Sequence, residues 1–242
     1  YSDKLVIIKD DYKNIFEHLD NMGIEKLDGV LIDMGVSSYQ IDTAERGFSY
    51  MQEARLDMRM DTNQRLSAYE VVNEYSEREL TDILFIYGEE RYARKIASKI
   101  INQRKQSPIE TTTQLAKLVE SCYPPKERFK YGNPAKRTFQ AIRIEVNAEL
   151  DDLKNYVMNI ARRLKKGGRI CVITFHSLED RQVKMAFREL EADCICDKNI
   201  PVCVCGKKKE GIIITKKPIS GEIEKETNKR AESAKLRILE RV

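Results

Sequence analysis

Three clusters of polar side chains fall just after short apolar runs, where a catalyst is most useful. Asp11-Tyr12 follows residues 5–8. Asp33-Met-Gly-Val-Ser37-Ser38-Tyr39-Gln40 follows residues 28–32. Phe175-His176-Ser177-Leu178-Glu179-Asp180-Arg181 closes the run over 169–175. If those runs are neighbouring parallel strands, their carboxyl ends share the edge at which parallel α/β sheets bind ligands. The carboxylate of Asp33, the imidazole of His176 and the hydroxyl of Ser177 are among the groups there that can hold or move a proton. Each loop also reads as a helix cap. Ser177 stands before Asp180 at capping-box-like spacing, and His176, one of two histidines, also reads as a structural hydrogen-bonder. His18 lies in a surface helix and receives no function.

Four of the six cysteines form C-x-C-x6-C-x-C: Cys194, Cys196, Cys203 and Cys205. Four thiolates can close a tetrahedral structural zinc site. Zinc sites usually space paired cysteines more widely, and C-x-C on a strand puts both side chains on one face, where they pack as small hydrophobes. The spacing leaves both readings open. No histidine or carboxylate lies alongside to activate water, so a zinc ion here would not be catalytic. Cys122 and Cys171 stand alone.

Phosphate-binding candidates are basic. Asn133-Pro-Ala-Lys136-Arg137-Thr-Phe139-Gln140-Ala-Ile-Arg143 can hold phosphates while Phe139 stacks on a base. It reads equally as a helix start with a core phenylalanine. Residues 206–242 carry 11 Lys and Arg against 6 Asp and Glu, led by Lys207, Lys208 and Lys209, while the rest of the chain is nearly neutral. That excess fits an anionic partner, or a solvated tail.

The elements that position these groups follow from periodicity. Residues 5–8 and 28–32 read as strands joined by a helix over 14–22, a rhythm that argues for a parallel α/β sheet. From about 46 to 136 the pattern turns helical. Residues 76–87, 89–104 and 113–122 each place apolar side chains on one face. The α/β rhythm then returns. A helix over 147–165 ends at Lys165-Lys166-Gly167-Gly168, a strand covers 169–175, a helix 180–190 and a strand 212–215. Residues 222–239 read as mostly helical.

Composition supports a folded chain. Of 242 residues, 41% are hydrophobic and 34% charged, a balance that excludes disorder and a membrane-embedded protein. No apolar run approaches the ~20 residues that span a bilayer. With no secretory signal the cysteines belong in a reducing compartment, and a cytoplasmic location is expected.

Seven motifs occur in order along the chain: Leu-Ile-Asp33-Met-Gly-Val-Ser-Ser, Arg46-Gly-Phe-Ser, Leu56-Asp57-Met-Arg59-Met, Tyr87-Gly-Glu-Glu-Arg91, Pro134-Ala-Lys-Arg-Thr-Phe-Gln-Ala-Ile-Arg143, Phe175-His-Ser-Leu-Glu-Asp-Arg181 and Ser233-Ala-Lys-Leu-Arg237. The set resembles the bacterial 16S ribosomal RNA cytosine-N4 methyltransferases, the RsmH or MraW family, over residues 1–242. The resemblance implies a class I S-adenosylmethionine-dependent, Rossmann-like α/β core with an all-helical insertion. Residues 1–45 and 139–242 would form the core and 46–138 the substrate-recognising insertion. It implies methylation of a decoding-centre cytosine amine in the small ribosomal subunit. Tyr12 stands where a family aromatic lies beside the cofactor's adenine, and Asp33 and Gln40 stand at other cofactor-contacting positions. Asp33, His176 and Ser177 are the catalytic candidates. Lys136, Arg137, Arg143, Arg181, Lys207, Lys208 and Lys209 are the RNA-binding ones.

Two departures stand out. Asn133 replaces the histidine usual before Pro-Ala. None of the 11 glycines forms the family's Gly-rich cofactor loop, since no G-x-G occurs. With tyrosine at position 1, this gives the expectation that the first strands of the core lie upstream of the chain. It also leaves room for a non-catalytic RNA-binding protein. An amino-methyltransferase of DNA or protein is disfavoured, because those enzymes commonly carry a Pro-Pro-aromatic tetrapeptide where Asp33-Met-Gly-Val stands.

Overall fold

The computed structural model describes residues 4–128, 130, 132–197 and 202–242. In chain order its regular elements are α1 (Ile15–Asn21), β1 (Leu27–Asp33), α2 (Ser38–Asp42), α3 (Ala68–Glu74), α4 (Glu77–Ile86), α5 (Ala93–Arg104), α6 (Thr112–Glu120), α7 (Ala135–Asn147), α8 (Leu153–Arg162), β2 (Leu164–Thr174), α9 (Ser177–Glu191), β3 (Gly211–Ile213), α10 (Glu222–Thr227) and β4 (Lys235–Arg241). They form two compact units, residues 4–34 with 152–242, and residues 35–151.

The first unit is α/β. Its sheet has the order β1-β2-β4-β3. β1 and β2 are parallel, whereas β4 runs antiparallel to β2 and β3, so the sheet is mixed and not wholly parallel. Ile170, Val172 and Thr174 alternate inward along β2 and are fully buried, the period of two that strands impose. Leu153, Val157 and Ile160 of α8 and Val183, Phe187 and Leu190 of α9 supply the helical side of the core, at helical spacing.

Several expectations are corrected here. Residues 5–8 form no strand. Leu5, Val6 and Ile7 are exposed, and β1 is hydrogen-bonded only to β2 among the described residues. An extended run without a partner ladder leaves its backbone to water. The helix expected over 147–165 begins only at Leu153, because Ala148 and Asp152 take left-handed φ of 48° and 55°. Lys165-Lys166-Gly167-Gly168 belongs to β2, where the register with β1 jumps between Leu27 and Gly29. The stretch 222–239 is helical only at α10, then a short 3-10 turn, and finally strand.

The second unit is helical. Leu56, Val72, Leu84, Ile96, Leu115 and Ile142 are fully buried in one core. Capping boxes start α3 at Ser67 with Glu70, α4 at Ser76 with Glu79 and α6 at Thr111 with Gln114. Each satisfies two otherwise orphaned N–H groups. Gly88 ends α4 against α7. A Cβ there would sit 2.6 Å from the Leu84 carbonyl oxygen and 2.9 Å from that of Arg137, so only glycine fits. α7 contributes Phe139, Ile142 and Val146 to this core. The seam therefore falls after α7, at 151, and not at 138.

Candidate functional site

In the first unit, the parallel pairing of β1 and β2 brings two of the three polar loops to one edge. Asp33 is in register with Ile173, and the Met34 N–H donates to the Ile173 carbonyl at 3.0 Å. Asp33 is exposed. Just beyond Ile173 the chain reaches Phe175, His176 and Ser177. Because β4 is antiparallel, its first residue, Lys235, lies beside Thr174 at the same edge. Phe175, His176, Ser177, Pro218, Ser233 and Lys235 line a cavity of about 320 Å³ there. The sequence reading assigned Ser233 and Lys235 no role; they were legible only as part of the Ser233-Ala-Lys-Leu-Arg237 motif.

His176, not Ser177, is the N-cap of α9. Its ring Nδ1 accepts from the Glu179 N–H at 3.4 Å, and Glu179 Oε2 accepts from the N–H groups of Phe175 and His176 at 2.8 and 3.3 Å. The other ring nitrogen lies 3.1 Å from Glu179 Oε1, with only 7% of the histidine side chain exposed. This ring is held by its own helix. Ser177 follows in the first turn and is exposed.

Tyr12 opens a short 3-10 turn capped by Asp11, whose carboxylate accepts from the Lys13 N–H. Its ring meets Tyr156 edge-on, centroids 4.9 Å apart, and Phe16 meets the same ring at 5.9 Å. Burial, with the Asp11 carboxylate nearby, pushes the Tyr156 phenol up to about 12. Tyr12 stays 38% exposed, so an aromatic surface remains for a ligand. Gln40 belongs to the second unit and closes a capping box on α2, its side-chain oxygen accepting from the Ser37 N–H at 2.9 Å.

The basic candidates divide sharply. Arg143 forks onto Glu149 at 2.7 and 2.8 Å and is largely buried, so its guanidinium is already occupied. Phe139 is buried and packs edge-on against Tyr50. It is a core residue and stacks on no base. Lys136 and Arg137 are exposed on the first turn of α7, and Arg137 also donates to the Glu89 carbonyl at 2.8 Å. Arg181 is exposed on α9. Lys207 pairs with Glu210 at 3.0 Å, Lys209 lies 4.0 Å from Glu191, and Lys208 is exposed.

Glu210 accepts from the Arg162 guanidinium at 2.8 and 3.1 Å. That bond, against the burial cost and aided by Lys207, holds its carboxyl down at about 2 from an ordinary 4.5. A carboxyl depressed on folding stabilises the fold above its unfolded value, and that contribution disappears as pH falls through the folded one. Glu210→Gln should therefore lower urea stability at neutral pH. The gap to wild type should close between pH 4.5 and 2. Urea titrations across that window check it, and a gap independent of pH would refute the linkage.

Cys194, Cys196, Cys203 and Cys205 converge. Their sulfurs lie 3.5 Å apart for Cys194–Cys203 and Cys203–Cys205, and 3.9 Å for Cys196–Cys203 and Cys194–Cys205. All four are free thiols, and no strand carries them. The Ile195 and Lys207 N–H groups pull the Cys205 thiol down to about 6.

Among the described residues no helix is long and apolar enough to cross a membrane. The sequence profile of the MraW methylase family matches residues 1–242. A protein of Caldicellulosiruptor bescii named Ribosomal RNA small subunit methyltransferase H is 56% identical over 238 residues, covering 98% of this chain and 76% of that protein. Proteins of the same name from Lachnospira eligens and Clostridioides difficile are 50% and 51% identical, each aligned over 100% of this chain and over 77% and 78% of their own lengths.

Proposed function

The chain belongs to the MraW methylase family, and from that premise we propose that it methylates the N4 amine of a cytosine in the 16S RNA of the small ribosomal subunit, with S-adenosylmethionine as donor. The observation that supports this most is the shared edge of β1 and β2. An exposed carboxylate, Asp33, ends one strand, and a cavity lined by Ser177, Ser233 and Lys235 opens at the end of the other. Its volume, about 320 Å³, sits at the low end of small-molecule pockets, ~300–1,000 Å³, enough for one splayed-out base. The residues fit the donor too. Tyr12 offers an aromatic surface for an adenine, and Asp33 offers negative charge for a cation.

The bound donor supplies an electrophilic methyl group on a sulfonium. The chain must supply a better nucleophile. A cytosine amine shares its lone pair with the ring, so it attacks poorly. A carboxylate accepting one of its N–H bonds localises the pair on nitrogen and stabilises the positive charge that develops. Asp33 is the acceptor in this reading. His176 acts by positioning, because its capping of α9 fixes the turn that presents Ser177. The cavity walls hold the base away from its stack. No metal is needed for this transfer, and the protein works in the cytoplasm with its ribosomal substrate.

The test is direct. The natural protein, small ribosomal subunits and methyl-labelled S-adenosylmethionine are incubated, and the RNA is digested to nucleosides. Label in N4-methylcytidine supports the proposal. Label in another nucleoside, or RNA binding without transfer, overturns it.

Phosphate contacts give a further expectation. Each neutralised phosphate steepens the fall of log affinity with log salt by roughly 0.7–0.9. With Lys207 held by Glu210, the double variant Lys208→Ala/Lys209→Ala should flatten the slope by about 1.5 units, and Lys207→Ala should add little. Filter binding to 16S RNA fragments across salt concentrations measures this. An unchanged slope in the double variant would mean that the run is merely solvated.

A further inference from the structure

We propose that Cys194, Cys196, Cys203 and Cys205 form a structural zinc site that folds the excursion between α9 and β3. The geometry is that of a coordination sphere. A tetrahedron with Zn–S bonds of ~2.3 Å has edges of about 3.8 Å. The separations here are 3.5, 3.5, 3.9 and 3.9 Å, and all four sulfurs lie within 4.8 Å of one another. A polynuclear iron–sulfur cluster distributes its thiolates over several irons and holds them farther apart, so a single ion fits.

Ordinary packing does not account for the arrangement. The apolar residues interleaved with the cysteines face water: Ile195 is 62% exposed, Val202 70% and Val204 78%. The sulfurs turn toward one another while the hydrophobes between them face water, the reverse of a small apolar cluster. The backbone points donors at the sulfurs. The N–H groups of Cys196, Ile195 and Val204 lie 3.4, 3.5 and 3.4 Å from the sulfurs of Cys194, Cys205 and Cys196. Such N–H to sulfur contacts orient metal-bound thiolates and spread their charge. Four thiolates on one zinc carry two surplus negative charges, and Lys207, Lys208 and Lys209 follow immediately.

The excursion has a reason to need an ion. Its base is pinned where the Glu210 N–H donates to the Leu190 carbonyl at 2.8 Å and the Ile213 N–H to Glu191 Oε1 at 2.9 Å. Among the described residues from Ala192 to Cys205 the cysteine sulfurs converge, and ordering the backbone of so long a loop carries a large entropic cost. Metal–thiolate bonds offset a cost of that size in small domains with little core. The proposal concerns stability and is independent of the methylation chemistry.

The natural protein, purified without chelators, should contain one zinc per chain by elemental mass spectrometry. Its four clustered cysteines should resist alkylation until a chelator is added. Cys203→Ser should lose the zinc, whereas Cys171→Ser should keep it. If Cys203→Ser does not fold, the wild type decides alone: exchange into cobalt should give the thiolate charge-transfer and strong visible bands of tetrahedral sulfur coordination. A folded wild type with no metal and freely alkylated thiols overturns the site. So do zinc retained by Cys203→Ser, cobalt spectra of octahedral type, disulfides among the four, or iron in place of zinc.

Discussion

Asp33→Ala is expected to cut methyl transfer by at least ~100-fold, the usual cost of deleting a group that stabilises developing charge, and to leave the unfolding transition nearly where it was. The two halves of this expectation have separate causes. Asp33 is exposed at the last position of β1, and surface substitutions away from buried networks usually stay within about 0.5 kcal/mol. β1 keeps its backbone ladder to β2 in the variant, because the register from Gly29 to Asp33 uses main-chain groups. The chemical half follows from the acceptor role proposed for Asp33. Asp33→Asn keeps an oxygen that accepts a hydrogen bond but loses the charge, so it should fall between wild type and Asp33→Ala. The loss should appear in kcat with S-adenosylmethionine saturating. If the Kd for the donor rises in parallel and kcat at saturation is unchanged, Asp33 holds the donor and does not activate the amine. Activity within about tenfold of wild type for Asp33→Ala would remove the residue from the site altogether.

Legibility in the sequence followed how local each determinant is. α4, α5 and α6 show on periodicity alone, because each buries one stripe at helical spacing. Asp33 shows because an apolar run ends on it. α3 escaped, although Ser67 and Glu70 spell its capping box, since seven residues are too few for a period to register. The break at Ala148 and Asp152 escaped because left-handed φ at alanine carries no sequence signal. The cysteine spacing was ambiguous because convergence of Cys194–Cys196 with Cys203–Cys205 depends on a loop closing, which spacing does not encode. Among the motifs of the resemblance, several mark structure and not chemistry. Glu90, in Tyr87-Gly-Glu-Glu-Arg91, is fully buried and accepts from the Tyr123 hydroxyl at 2.5 Å. Asp57 and Arg59 pair at 2.7 Å inside Leu56-Asp57-Met-Arg59-Met.

β4 was the largest misreading, and its cause leads to the second large effect. Residues 235–241 read Lys-Leu-Arg-Ile-Leu-Glu-Arg, a charged run that hides a strand, because one buried position of the alternation is an arginine. Arg237 is 7% exposed and forks onto Asp180 of α9 at 2.7 and 3.0 Å. Removing one partner of a buried pair strands the other charge and costs ~3–5 kcal/mol. Arg237→Met should fall at the low end, about 3 kcal/mol, because Lys235 lies 3.9 Å from the same carboxylate and can partly take over. Replacing both partners by apolar residues, Asp180→Leu with Arg237→Met, should recover most of the loss, since the desolvation cost of both charges goes with them. Urea denaturation of the three variants against wild type measures the cycle. A single-variant loss below about 1 kcal/mol, the range of exposed ion pairs, would mean that water reaches the pair. The consequence reaches the edge of the sheet. β4 begins at Lys235, directly after Ser233 and Ala234 on the cavity wall, and Arg237 fastens that start to the helix that His176 caps. Freeing it loosens both walls of the cavity together, so Arg237→Met should lose methyl transfer at temperatures where the fold still survives.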